Sequence, residues 1–316
     1  MSRFDNLTQP TGEGVCDYGL DSFSRIALTV INGLLAPFGT AENLVILFTI
    51  YKTTTLQNNS SLFICSLAAA DLMVGLVMNP VVAVKSSLNI TNNFHPLAIF
   101  TECLTLQTLP ATTFSLCAIS IDRYIAITIV FQYDELVTTK RCVLAICLYW
   151  LSTLILPVIR LIITEPEDLP NLWTAAVICT FVFPMAIICY CYYHIWKAAK
   201  RQEEQLAQLR VTDEKRAAAA VKNVKAAWTI GIIVGVCALF WTPSFVMGIV
   251  QNMMTDDCNK KQMNATWMWG QTVAFSLSTI DPIIYTFRNE DFMKACKRLL
   301  GRQRNVEGDV AKGQVS

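Results

Sequence analysis

Ser115–Ile127, SLCAISIDRYIAI, runs apolar for several turns, presents Asp122, Arg123 and Tyr124 together, and returns to apolar residues. Charges at membrane depth are unfavourable, so they sit paired, face a bundle interior or lie at the water boundary. Two readings of the triplet stand on these residues alone. One is a helix that ends at the interface and carries a charge pair there. The other is a switch, in which Asp122 holds Arg123 at rest and releases it to a partner. The rest of the chain decides between them.

Of the 316 residues, 53% are hydrophobic and 16% charged, and the mean hydropathy is +0.43. Soluble domains carry roughly a quarter charged residues, so this is a membrane composition. The net charge of +1, with no basic cluster interleaved with aromatics, gives nucleic acid no footing. Residues 1–24 lack an apolar h-region. No cleavable signal peptide is therefore expected, and the first span acts as its own insertion signal.

A spanning helix needs about 20 largely apolar residues. Seven stretches meet that: Ile26–Tyr51, Leu62–Val84, Leu97–Ile129, Cys142–Ile163, Asn171–Lys197, Val224–Met253 and Thr266–Phe287. The fold expected is an all-α membrane protein. It has an extracellular tail over 1–25, a seven-helix domain over 26–287, an amphipathic surface helix over 288–300 and a cytoplasmic tail over 301–316. Basic residues set the orientation. With the amino terminus outside, the outer face keeps only Arg3, Arg25, Lys85, Arg160, Lys260 and Lys261 of the 25 Lys and Arg. The sequons at Asn6, Asn89 and Asn264 then fall outside and are glycosylation candidates, Asn264 abutting the membrane, whereas those at Asn58 and Asn59 fall inside. The charged segment Lys200–Arg216 reads either as helical extensions of its neighbours or as a solvated tether. In Glu290–Leu300, Phe292, Cys296, Leu299 and Leu300 share one face, so this helix lies on the inner leaflet. Cys296 there is either palmitoylated or a buried thiol.

Polar residues inside the spans are functional suspects: Asn43, with Glu42 beside it, in the first, Asp71 in the second, Thr108 and Thr112 in the third, Ser278 and Asp281 in the seventh. Asp71 and Asp281 have no basic residue in their own spans. They share a proton, meet a cation or titrate abnormally. A sodium ion held by Asp71 with Asn43, Thr112, Ser278 and Asp281 is one reading, and a hydrated polar knot tying helices together is the other. Pro80, Pro184, Pro243 and Pro282 each interrupt a span and free backbone carbonyls. In Phe240-Trp241-Thr242-Pro243 a large aromatic lies two residues before the kink. Trp173, Trp196, Trp267 and Trp269 read as interface anchors.

Together these residues resemble a rhodopsin-like (class A) G-protein-coupled receptor. The matching motifs are Asn43; Leu67-Ala68-Ala69-Ala70-Asp71; Asp122-Arg123-Tyr124; Trp150; Pro184 with Tyr192; Phe240-Trp241-Thr242-Pro243; Asp281-Pro282-Ile283-Ile284-Tyr285; and Phe287-Arg288 with Phe292. The resemblance spans Ile26–Leu300. It implies an extracellular ligand sensed by Trp241 and the Pro243 kink, together with Phe240, Asp281 and Pro282. The sixth helix then swings outward, Arg123 leaves Asp122, Tyr192 and Tyr285 rotate in, and a heterotrimeric G protein engages, with arrestin as a further partner.

The departures from that pattern concern the ligand. Ala98 stands where the family keeps a cysteine, and the loop over Thr164–Pro170 is short and has none. The usual disulfide is therefore not expected, and Cys16 with Cys258 is the candidate pair. Thr105 stands where amine receptors keep an Asp, which disfavours a monoamine. Glu102, one turn further out, either meets a cationic group or snorkels to the interface. With Thr105, Trp241 and Phe275 it completes the pocket candidates. No lysine lies between Lys261 and Lys294, so no retinal Schiff base is expected, and a sodium ion is the one cofactor considered. The missing cysteine, short loop and Asp281-Pro282 resemble melanocortin receptors, whereas the second span resembles adenosine or trace-amine receptors. Asn223 stands where relatives keep an acid at the foot of the sixth span. That leaves Asp122 alone to restrain Arg123 and implies ligand-free signalling. Other classes remain as alternatives: a seven-helix transporter, though no inverted repeat is evident, or a decoy receptor that binds without signalling. No enzyme is expected, since the two histidines, His95 and His194, lie toward opposite faces.

Overall fold

A computed structural model describes residues 19–208, 214–288, 290–299 and 301, and among these no strand occurs. The helices are α1 (Ser22–Lys52), α2 (Asn59–Ser87), α3 (Pro96–Thr128), α4 (Thr139–Ile162), α5 (Leu169–Arg201, helical on to Gln208) and α6 (Glu214–Met253). Next come α7, formed by Asp257–Phe275 and Leu277–Arg288, and α8 (Glu290–Leu299). Starts are fixed by side chains that accept free backbone N–H groups: Asp21 for α1, Asn58 for α2, His95 for α3, Thr138 for α4 and Asp256 for α7. The result is a seven-helix bundle. Its central element is α3, the most buried span, and its most peripheral is α4.

By length and hydropathy alone six of the described helices are fit to cross a membrane. The seventh crossing is α7, whose polar first half and break at Ser276 dilute its apolar signal. Large exposed side chains such as Phe23, Val30, Phe38, Leu148, Ile162 and Leu239 cover the outer surface of the bundle, as lipid-facing positions require.

The prolines act in different ways. Ahead of Pro80 and Pro184 the helices widen into π turns, Val74–Met78 and Ile178–Val182. Such a turn absorbs the hydrogen bond that proline cannot make. Pro243 and Pro282 lie inside helices that run on without a break. Pro37 and Pro110 also lie inside helices, α1 and α3. Gly75, in the first π turn, lets α2 approach α1, since a Cβ there would stand 2.7 Å from the backbone nitrogen of Thr40.

Two residues assigned from the sequence to the outer water boundary are instead inside. Arg160 is 1% exposed and Lys85 6%. The helix of Lys85 runs on to Ser87, past the expected end at Val84, whereas Arg160 lies within its expected span and is turned inward to a buried acid, Glu102.

Candidate functional site

At one end of the bundle, Arg123 turns back on its neighbour: Nε donates to Oδ2 of Asp122 at 2.9 Å and Nη2 closes the same ion pair. Asp122 is buried. Its remaining lone pairs are filled by Ser60 Oγ, which donates to Oδ2 at 2.7 Å, and by the Tyr133 hydroxyl, which donates to Oδ1 at 2.8 Å. Ser60 also accepts from Arg123 Nη2. Asp122 is therefore not the sole restraint on Arg123, a correction to the sequence reading. The side chain of Asn223 lies outside the described residues. Tyr124, the third member of the triplet, faces elsewhere and packs on His194 and Tyr190 of α5. Tyr192 ties α5 to α6 by donating to the Ala227 carbonyl at 2.9 Å, and its ring lies where a Cβ at Gly231 would stand, 2.9 Å from Cε1. Tyr285 packs edge-on against Phe292 of α8, ring centroids 5.0 Å apart.

Ser60 and Tyr133 escaped the sequence reading because a lone hydroxyl beside a span carries no pattern. Trp150 was legible as a motif, but its function was not. Its Nε1 donates 2.8 Å to Ser66 Oγ, which also meets Ser115 and Tyr149, so one hydroxyl of α2 joins α3 and α4.

In the middle of the bundle a cavity of about 20 Å³ is lined by Asn43, Asp71, Asp281, Pro282 and Tyr285 among apolar side chains. It has room for a single water or small ion. Asn43 Nδ2 donates to the carbonyls of Gly39 and Ser278 at 2.9 and 2.8 Å. Both carboxylate oxygens of Asp281 and Oδ1 of Asn43 are buried without a hydrogen-bond partner among the described residues. Thr112 and Ser278 are buried too, but they do not line this cavity, and the Ser278 hydroxyl donates instead to Phe275 O at 2.8 Å.

Above it sits an aromatic cluster. Trp241 is buried, with its ring 5.9 Å from that of Phe245 in stacked orientation and 6.2 Å from that of Phe275, edge-on. Phe181 of α5 reaches Phe245 at 4.5 Å. Phe240, the preceding residue, is half-buried on α6.

The sequence profile of the 7 transmembrane receptor (rhodopsin family) matches residues 42–285, the stretch that carries Asn43, Asp71, Arg123, Trp241 and Tyr285. The chain belongs to the rhodopsin family of seven-transmembrane receptors. Similar relatives include the histamine H2 receptor of Rattus norvegicus, 25% identical over 89% of this chain and 81% of its own. The adenosine receptor A2a of Canis lupus familiaris is 28% identical over 89% and 73%. The adenosine receptor A2b of Homo sapiens is 27% identical over 89% and 91%.

In this receptor the pocket candidates do not all stand free. Glu102 is not a snorkelling carboxylate. It is 3% exposed and accepts from Arg160 Nε at 2.5 Å. Thr105 is buried, and its hydroxyl donates 2.8 Å to the Thr101 carbonyl. Trp173 and Trp267, read from the sequence as interface anchors, are half-buried and meet edge-on at 4.9 Å between α5 and α7.

Cys258 is disulfide-bonded, ten other cysteines are free, and Cys16 lies outside the described residues, as does Asn6. Asn89 has a left-handed backbone, φ 55°, and its Oδ1 accepts from Leu20 N at 2.7 Å, pinning the entry to α1. Asn264 lies within helical α7 and accepts from Gln251 Nε2 at 2.7 Å. The Cys296 thiol is buried in a cluster with Ile46, Tyr285 and Phe292, 3.4 Å from Thr49 Oγ1. That geometry favours the buried-thiol reading of Cys296 over palmitoylation.

Proposed function

We propose that this receptor sits in the plasma membrane with its amino terminus outside, binds an extracellular ligand and activates a heterotrimeric G protein, arrestin being a later partner. The observation that carries the reading is the closed cage around Arg123. A buried acid, a serine and a tyrosine from three segments occupy its guanidinium and the carboxylate beside it. An arginine so held serves no structural need at the end of a helix, and a charge-assisted network is suited to two discrete states.

In this reading ligand binding shifts Trp241 and its neighbours Phe245 and Phe275. The Pro243 turn then lets α6 swing outward, which breaks the Tyr192–Ala227 bond that joins α5 to α6. Arg123 leaves Asp122, Tyr192 and Tyr285 rotate toward the opened cleft, and a Gα subunit enters. The decoy alternative is disfavoured by the same cage, since a non-signalling binder gains nothing from a releasable arginine. A transporter would call for paired broken helices in both halves, and the relatives named above are receptors rather than enzymes.

The mid-depth cavity suits a sodium ion. Asp71, Asp281 and Oδ1 of Asn43 are hard oxygen donors, and the three orphaned atoms would gain a partner. The ion would supply a positive charge to a site with two carboxylates and no base. Asn6 and Asn89 are the proposed glycosylation sites, and Asn264 is the least accessible of the three sequons. With Cys258 bonded and ten cysteines free, Cys16 is its proposed partner.

The names of the relatives point to different ligands, histamine and adenosine, so they assign none here. The absence of an acid at Thr105 continues to speak against a monoamine. The reading is tested by Arg123→Ala in intact cells, scored by Gα activation at matched surface expression with an antibody against a tail tag. Loss of activation with an intracellular tail supports it. Unchanged activation, or a tail stained without permeabilisation, ends it.

A further inference from the structure

Three charged residues from three helices meet inside the bundle at the amino-terminal end: Lys85 of α2, Glu102 of α3 and Arg160 of α4, at 6, 3 and 1% exposure. Arg160 is held on two sides. It donates to Glu102 at 2.5 Å and to the Asn93 carbonyl at 2.8 Å, and it lies 5.4 Å from the centre of the Phe94 ring. Glu102 thus has its counter-ion. Lys85 feels the same carboxylate electrostatically, yet among the described residues its ammonium makes no hydrogen bond and no ion pair. Two cations share one acid, and the cluster carries a formal charge of +1.

The Lys85 stem is enclosed while its Nζ keeps some open surface, so the ammonium is both unneutralised and approachable. Lys85 is not explained as the partner of Glu102, because Arg160 already fills that place. An orphaned amide lies on an adjoining helix. Gln271 is 1% exposed, and both its Nε2 and Oε1 are buried without a partner. It sits on the half of α7 that packs against the Lys85 end of α2. An unneutralised cation and an unused amide on two adjoining helices are what an anionic group requires: charge from one, directed hydrogen bonds from the other.

Resting on the receptor reading above, and naming its ligand class, we propose that the ligand bears a carboxylate or phosphate monoanion that binds Lys85, with Gln271 completing the contact. This sets aside the reading in which Glu102 receives a cationic group of the ligand. A cationic ligand would bring a third positive charge to one carboxylate and would have to displace Arg160.

The test uses purified full-length receptor in lipid nanodiscs and four probes on one ring: benzoate, phenyl phosphate, neutral benzamide and the cation phenyltrimethylammonium. At millimolar concentration benzoate, phenyl phosphate or both raise the melting temperature by about 2 °C or more, through mass action on the folded state, while benzamide and the cation do not. A shift from one anion alone identifies the source as carboxylate or phosphate. Lys85→Gln abolishes the shift while its own unliganded melting point stays level or rises, because one of two cations facing a single acid has been removed. Lys85→Arg retains the shift. No shift from either anion, an equal shift from all four probes, or a Lys85→Gln receptor that melts lower overturns the proposal. Melting reads binding without a G protein. Loss of Gα activation with the anion shift intact therefore ends the signalling reading alone, and the converse ends only this proposal.

Discussion

The Tyr133 hydroxyl donates to Oδ1 of Asp122 at 2.8 Å, the oxygen that Arg123 leaves unused. The loop after α3 thereby closes over the charge pair and holds the acid in the orientation that keeps the arginine back. Hydrogen bonds to charged groups contribute about 1.5–3 kcal/mol. Tyr133→Phe, which keeps the ring and removes the donor, is expected to raise agonist-free Gα activation several-fold, with Ser60→Ala acting in the same direction. A resonance-energy-transfer sensor of Gα dissociation, normalised to surface receptor, reads it. Basal activity at or below wild type would show that the loop bond is not part of the restraint.

The same bond is expected to be indifferent to pH in the physiological range. Burial pushes the Tyr133 phenol above its ordinary value, and the Asp122 charge adds to the effect. A group raised in the folded state contributes fully below its unfolded pKa and is lost only as pH rises through the raised value. That window opens above about 10. The ratio of Tyr133→Phe to wild-type basal activity, measured in permeabilised membranes, therefore stays constant from about pH 6 to pH 8.5.

The seven spans and the pairing of Asp122 with Arg123 were legible because both follow patterns: apolar length in one case, motif spacing in the other. What escaped has no local signature. Glu102 and Arg160 are 58 positions apart, so Arg160 read as a boundary cation, and Glu102 as either a partner for some cationic group or a snorkelling acid, until packing brought the two together. The π turns before Pro80 and Pro184 were hidden because a proline announces a disturbed helix without saying whether the chain bends or widens. Cys296 sat on the expected apolar face, but only packing against Thr49 and Tyr285 shows that the thiol is enclosed.

Packing of α1 on α2 rests on two glycines with unequal tolerance. A Cβ at Gly75 would meet Thr40 N at 2.7 Å and Gly39 C at 3.0 Å, both backbone atoms. At Gly39 it would meet the Thr279 and Ser278 hydroxyls of α7 at 3.1 and 3.4 Å, which can rotate, and the Gly75 Cα at an ordinary 3.7 Å. Overpacking costs about 1–3 kcal/mol where the neighbours cannot move. Gly75→Ala is expected to reduce surface expression and melting temperature clearly more than Gly39→Ala, and equal effects would show that the helices slide apart at little cost.

If the cavity beside Asp71 and Asp281 takes sodium, replacing sodium by choline at constant ionic strength lowers the melting temperature of the purified receptor by a few degrees, a mass-action effect. Asp71→Asn removes a charged ligand and should erase the difference. A wild-type receptor that melts alike in both salts favours the hydrated-knot reading.

The charge count around Glu102 makes an asymmetric prediction. Removing one partner of a buried ion pair typically costs about 3–5 kcal/mol, because the other charge is stranded. Glu102→Gln would strand Arg160 and take from Lys85 the one acid within its electrostatic reach, since no other acid pairs with either among the described residues. Arg160→Gln would strand none, because Lys85 already lies within electrostatic reach of Glu102 and can swing to replace the lost guanidinium. Glu102→Gln should therefore melt lower than Arg160→Gln, and adding Lys85→Gln to it should recover part of the loss. Melting curves of the four receptors under one condition decide the order. If Arg160→Gln proves the more damaging, the bonds from Arg160 to Asn93 and its seat on Phe94 outweigh the charge balance, and Lys85 does not stand in for it.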